Sequence, residues 1–147
     1  MVSKTRAAEI IRHARFRSGR TWAELSEAIG RPQVWTVAAL LGEHPMKAEE
    51  ARTIGELLDL EDNVVQALQL PPYRGSGEQQ VPTDPTIYRF YEALDVYGPA
   101  LKELIHEEFG DGIMSAINFK VDLERRPDPT GDRVVITFDG KFLDYQW

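Results

Sequence analysis

A chain of 147 residues, 42% hydrophobic and 28% charged, is long enough for one ordinary domain or two small ones, with the composition of a soluble globular protein rather than a disordered one. It contains no cysteine, which excludes disulfides, zinc–thiolate centres and thiol catalysis and suits a reducing compartment. The net charge of −7 arises wholly after residue 75: residues 1–75 carry ten Lys/Arg against ten Asp/Glu, and residues 76–147 carry seven against fourteen. An acidic half repels polyanions, so nucleic acid is not the expected partner.

The start of the chain, Met1 to Arg6, has no apolar stretch of the kind a secretory leader needs, and the longest apolar run, Val37 to Leu41, is too short to span a membrane. The cytoplasm is the expected location, with no membrane partner. The first seventy residues read as helices. Ala7, Ile10, Ile11 and Ala14 recur at helical spacing. Thr21-Trp22-Ala23-Glu24 has the pattern of a capping box and opens a helix that carries Trp22, Leu25 and Ile29 and ends at Gly30. Pro32 suits the first turn of the next helix, which runs through Trp35, Val37 and Leu40 to Gly42. Helices from about Lys47 (Ala51, Ile54, Leu57, Leu58) and about Glu61 (Val64, Val65, Leu68) complete a five-helix bundle. Two short helices about Gly30 make a helix-turn-helix arrangement, whose functional reading is DNA binding. The second of them, Pro32 to Leu41, contains no Lys or Arg, where a major-groove reader needs basic and amide side chains. The motif is therefore read as packing the bundle.

From Pro71 to Pro85 prolines and glycines punctuate a polar stretch, read as a linker over 76–85 between a bundle at 1–75 and a second unit at 86–147. Its length without periodicity fits an arm that crosses onto a neighbouring subunit. A helix is expected from Thr86 to about Tyr97, stopped by Gly98, and another from Ala100 to Phe109 after Pro99. The period then changes. Ile117, Phe119, Val121 and Leu123 alternate with polar residues in a strand with one buried face. A loop from Pro127 to Asp132 leads to a second alternating strand at Val134, Ile136 and Phe138. Asp139-Gly140 reads as a turn into a short third strand, Lys141 to Tyr145. The fold class is α+β: a helical bundle followed by a small α/β unit. So small a sheet is marginally stable alone, so it is expected to bury its apolar face against another copy of itself.

Spacing alone marks no strong catalytic motif. His13, His44 and His106 lack metal-ligand spacing, so no metal site is expected, and His106 with Glu107 and Glu108 reads as a solvated helix face. Arg89 and Glu92, at i and i+3, share a helix face distinct from the apolar one of Ile87, Phe90, Tyr91 and Leu94, which by itself describes a surface ion pair. Ser115, after a glycine turn and before the alternating strand, reads as a turn or cap residue.

At these residues the sequence resembles a known family. Pro82-Thr83-Asp84-Pro85-Thr86-Ile87-Tyr88-Arg89-Phe90-Tyr91-Glu92 is similar to the helix-opening motif of the cyanases (cyanate hydratases). Tyr97-Gly98 and His106-Glu107 follow it. Phe109-Gly110-Asp111-Gly112-Ile113-Met114-Ser115-Ala116-Ile117-Asn118-Phe119 resembles the family's second signature, and Val135-Ile136-Thr137-Phe138-Asp139-Gly140-Lys141 its terminal strand. The likeness covers nearly all of residues 82–142. It is looser earlier, through Val37-Ala38-Ala39-Leu40-Leu41-Gly42 and Leu58-Asp59-Leu60.

The resemblance implies a repressor-like N-terminal bundle without DNA function, a dimerisation domain of interlaced subunits, and a decamer built as five dimers. It implies bicarbonate-dependent decomposition of cyanate through carbamate to carbon dioxide and ammonia. No cofactor is implied, bicarbonate being a co-substrate. The implied catalytic residues are Arg89, Glu92 and Ser115, at a site between subunits. Arg89 would anchor the anions and Ser115 would donate a hydrogen bond. Glu92 would orient Arg89 or carry a proton, of which orientation is the preferred role. The alternatives from other classes are a helix-turn-helix transcriptional regulator with a C-terminal dimerisation domain and a non-catalytic oligomeric scaffold.

Overall fold

A computed structural model describes residues 2–72 and 82–146. Five helices come first: α1 Lys4–Ser18, α2 Trp22–Ile29, α3 Gln33–Leu40, α4 Ala48–Leu58 and α5 Asp62–Gln69. They are followed by a long helix, α6 Pro85–Phe109, and by two strands, β1 Gly112–Arg126 and β2 Arg133–Asp144, paired as a two-stranded sheet. The α+β order expected from the sequence is the order observed. By compactness the chain falls into two units: one holds residues 1–74 and the distal hairpin 121–137, the other residues 75–120 and 138–147. The expected linker and crossing arm lie mostly outside the described residues; of the span 76–85, residues 82–84 are irregular and Pro85 opens α6.

The helical unit is built by end signals and an apolar interior. The capping box at Thr21 is fully formed: the Thr21 hydroxyl accepts from the Glu24 N–H at 3.1 Å, and the Glu24 carboxylate accepts from the Thr21 N–H at 2.6 Å. That N–H, and then the Thr21 hydroxyl, hold the Glu24 carboxyl below its usual range. Gly30 closes α2 at φ 65°, a left-handed turn that only glycine adopts without cost. Pro32 is the N-cap of α3 rather than a member of its first turn. Ile11, Leu25, Leu40, Ile54 and Val64 are fully buried, and each such side chain stabilises the fold by about 1.5–3 kcal/mol. Thr36 is buried with them because its hydroxyl donates to the Pro32 carbonyl at 3.0 Å, which satisfies it within its own helix.

The chain after Asp84 differs from expectation at two places. Gly98-Pro99 does not end a helix; α6 runs through it, with Pro99 inside. The proline ring fixes φ at a helical value, but Pro99 has no N–H to donate and its ring crowds the carbonyl of residue 95, so the helix continues there with one hydrogen bond fewer. Likewise Asp139-Gly140 does not turn the chain: β2 is continuous across it. The true turn is at 127–132, where Asp128 accepts from the Thr130 N–H and hydroxyl at 2.9 and 2.7 Å. The hydroxyl, then the N–H, keep the Asp128 carboxyl below the usual range.

No α6 residue is buried within the chain. Ile87, Phe90, Leu94, Tyr97, Leu101 and Leu104 are all exposed, at alternating spacings of three and four, so they form one continuous apolar stripe along the helix. The strands repeat the situation. Ile117, expected on a buried face, is 98% exposed, and Leu123, Val134 and Phe138 are exposed too. One helix and two strands cannot cover this much apolar surface among themselves.

Candidate active site

The start of α6 fixes the first two candidate residues. Asp84 caps the helix, its carboxylate accepting from the N–H groups of Thr86 and Ile87 at 2.9 and 3.0 Å, with Pro85 in the first turn. One turn on, the Arg89 guanidinium donates through Nη1 to Glu92 Oε2 at 2.9 Å, and both side chains are largely exposed. As a stability element such a pair is worth about 0–1 kcal/mol. As a geometric element it does more: one edge of the guanidinium is fixed by the carboxylate, and the remaining donors of the fork point elsewhere.

Ser115 lies on β1 and is 5% exposed. Its Oγ accepts from the backbone N–H of Ile117 at 3.1 Å and of Asn118 at 3.0 Å. In a regular strand successive N–H groups point to opposite edges, so two converging on one hydroxyl mean the strand is bent here. With both lone pairs engaged, the hydroxyl has one capacity left, which is to donate its proton. The cap reading of Ser115 is thus correct as local geometry, and it has a chemical consequence. The hydroxyl is a poor nucleophile and a directed donor.

The structure pairs Arg89 with Glu92, and among the described residues no hydrogen bond or ion pair links either of them to Ser115. His106, expected to be solvated, is half-buried in the last turn of α6. Sequence reasoning missed Gly140, which lies on β2 against Ser115. A Cβ there would stand 2.6 Å from the Ser115 carbonyl oxygen. Its local signal, Asp-Gly, is that of a turn, and only the strand pairing reveals it as a close approach.

In the N-terminal helices, Arg31, just before α3, is held by its neighbours. Its Nε donates to Glu50 Oε1 at 2.7 Å and its guanidinium carbon lies 4.5 Å from the centre of the Trp35 ring. Partial burial alone would raise the Glu50 carboxyl. The Lys47 N–H and the Arg31 guanidinium outweigh it and hold the carboxyl below its usual range.

Comparison with known proteins resolves what this geometry belongs to. The family model described as cyanate hydratase, N-terminal, matches residues 4–72, and that described as cyanate lyase C-terminal domain matches residues 79–147. The chain belongs to the cyanase family. It is 60% identical over 146 residues to the cyanate hydratase of Mycobacterium avium (strain 104), covering 99% of this chain and 94% of that protein. It is 50% identical over 145 residues to the cyanate hydratase of Thiobacillus denitrificans, covering 99% of each. The crystal structure of cyanase from T. urticae superposes with a TM-score of 0.81 at 35% identity, covering 93% of this chain and 96% of that one. The cyanase fold therefore accounts for the five N-terminal helices as well as for α6 and the two strands.

Proposed function

We propose that the chain catalyses the bicarbonate-dependent decomposition of cyanate to carbon dioxide and ammonia, with Arg89, Glu92 and Ser115 as its catalytic residues. The observation that carries this reading is the donor set. A guanidinium is oriented by a carboxylate, and a hydroxyl is left able only to donate. Both suit anions. Cyanate and bicarbonate repel each other by about 4 kcal/mol at 4 Å in a medium of effective dielectric near 20. A site that joins them must supply fixed positive charge and pre-aimed donors.

Arg89 anchors the anions through the part of its fork that Glu92 leaves free. Ser115 donates to an anion oxygen. A bicarbonate oxygen attacks the cyanate carbon, and the adduct sheds the bicarbonate carbon as carbon dioxide to leave carbamate. Carbamate takes up protons and splits into ammonia and a second carbon dioxide. Two protons are consumed for each cyanate. Glu92 acts by orientation, since its carboxylate accepts the Arg89 donor. Much of the acceleration comes from holding two small reactants in contact.

The site lies between subunits of a homo-oligomer, a decamer of five dimers. The exposed apolar stripe on α6 supports association, because a surface of that length calls for a matching one. The chain works in the cytoplasm and takes neither nucleic acid nor a membrane as partner. No helix among the described residues is long and apolar enough to cross a membrane. The regulator alternative is disfavoured by α3, which has no Lys or Arg, and by the engagement of Arg31 with Glu50 and Trp35.

The direct assay is ammonia release from cyanate in carbon-dioxide-free buffer, with and without added bicarbonate. Release is expected to fall at least about tenfold when bicarbonate is withheld, and to return on its addition. Equal rates in both buffers would show simple hydrolysis and overturn the reading.

A further inference from the structure

We propose that Gly140 is a positioning residue for the Ser115 hydroxyl: its missing side chain lets β2 approach closely enough to hold the bend of β1 that aims the proton. This rests on the reading of Ser115 as the anion donor. Gly140 is not required for its backbone conformation, since its φ is outside the left-handed region that favours glycine. It is required for space. A Cβ at 140 would stand 2.6 Å from the Ser115 carbonyl oxygen and 3.0 Å from Phe119 Cδ2, and would overlap Met114 Cγ.

These three contacts differ in how they can yield. Met114 is a flexible side chain and can swing away. The Phe119 ring is backed by Phe138, 5.4 Å between centroids. The Ser115 carbonyl belongs to the backbone and moves only if the peptide after Ser115 rotates. That peptide begins the turn which brings the Ile117 and Asn118 N–H groups onto Oγ. A single methyl group at 140 therefore disturbs the two bonds that leave the hydroxyl no role but donation.

The test is a double-mutant cycle in the full-length assembled protein: wild type, Ser115→Ala, Gly140→Ala and the double variant. Each is assayed for kcat and for KM of both anions, with amide exchange followed at Ile117 and Asn118. Gly140→Ala should lower kcat by about 30- to 100-fold, the scale of an ångström's misplacement of a reacting group. The KM values should change less, and exchange at the two amides should be faster. In the Ser115→Ala background the same change should cost less than about twofold, as expected when two residues act through one interaction.

Should Gly140→Ala fail to assemble, Met114→Ala/Gly140→Ala removes the side-chain overlap and keeps the carbonyl contact. It should assemble and show the same loss. Gly140→Ala with near wild-type kcat overturns the proposal. So does an equal loss with Ser115 already gone, or failure of both variants to assemble, since each makes Gly140 either dispensable or purely structural. If instead Ser115→Ala itself keeps normal turnover, the assignment of Ser115 fails and the reading of the site falls with it.

Discussion

Replacing Arg89 with lysine is expected to cut kcat about 10²–10³-fold, the usual loss when one pre-aimed donor to a developing charge is removed, while leaving folding and assembly intact. Lysine keeps the positive charge, so a loss of this size would report geometry rather than net charge. The guanidinium offers a rigid fork, of which one edge is held by Glu92 at 2.9 Å. An ammonium group on a flexible stem cannot occupy both the carboxylate and an anion with fixed angles. The pair is exposed, with side chains 67% and 50% accessible, so its contribution to stability is about 0–1 kcal/mol and the melting temperature should shift by no more than a few degrees. Steady-state kinetics with thermal denaturation on the same preparations distinguish the outcomes. Normal turnover in Arg89→Lys would remove this residue from the site. A large fall in melting temperature with the loss would make the pair structural.

The second large effect concerns the stripe on α6. Leu94→Asp/Leu101→Asp places two charges in the middle of six apolar side chains spaced at threes and fours. If two such stripes meet about a two-fold axis, every substitution is felt twice. Losing four leucine burials at about 1.5 kcal/mol or more each weakens a dimer by on the order of 6 kcal/mol, or roughly four decades in its dissociation constant. Burial of unpaired carboxylates adds to this. Sedimentation velocity should show the assembly reduced to small species, and, if the site is shared between subunits as proposed, turnover should fall about 100-fold or more. Dissociated chains that kept full activity would place the complete site within one subunit.

How much of this was legible in advance depended on the range of the interactions involved. Both ends of α2 follow from local rules: Thr21 and Glu24 are three residues apart and form the capping box their spacing predicts, and Gly30 closes the helix. Gly98-Pro99 and Asp139-Gly140 carry equally strong local signals that point the wrong way, because in each the chain continues a regular element through residues that usually end one. At Gly140 the deciding contact is with β1, some 25 positions earlier, which no local pattern encodes. Ser115 shows both sides. Its role as a cap to neighbouring N–H groups is local and was legible, whereas its burial and the saturation of its lone pairs needed the strand bend.

The pairing of Arg89 with Glu92 was legible as an i, i+3 contact, but spacing gave it only the meaning of a surface ion pair. The family signatures around it supplied the chemistry. The apolar stripe is likewise written in the sequence at positions 87 to 104, and only the structure shows those side chains exposed among the described residues.

The most direct measurement is a crystal structure of the assembled protein soaked with an inert dicarboxylate such as oxalate, whose two carboxylates stand in for the paired anions. The expected result is one oxalate at a junction between chains, held by the Arg89 guanidinium and by the Ser115 hydroxyl, with Glu92 against the far edge of that guanidinium. Side chains 89, 92 and 115 dispersed over separate solvent-facing surfaces in every assembly of the crystal would contradict the account.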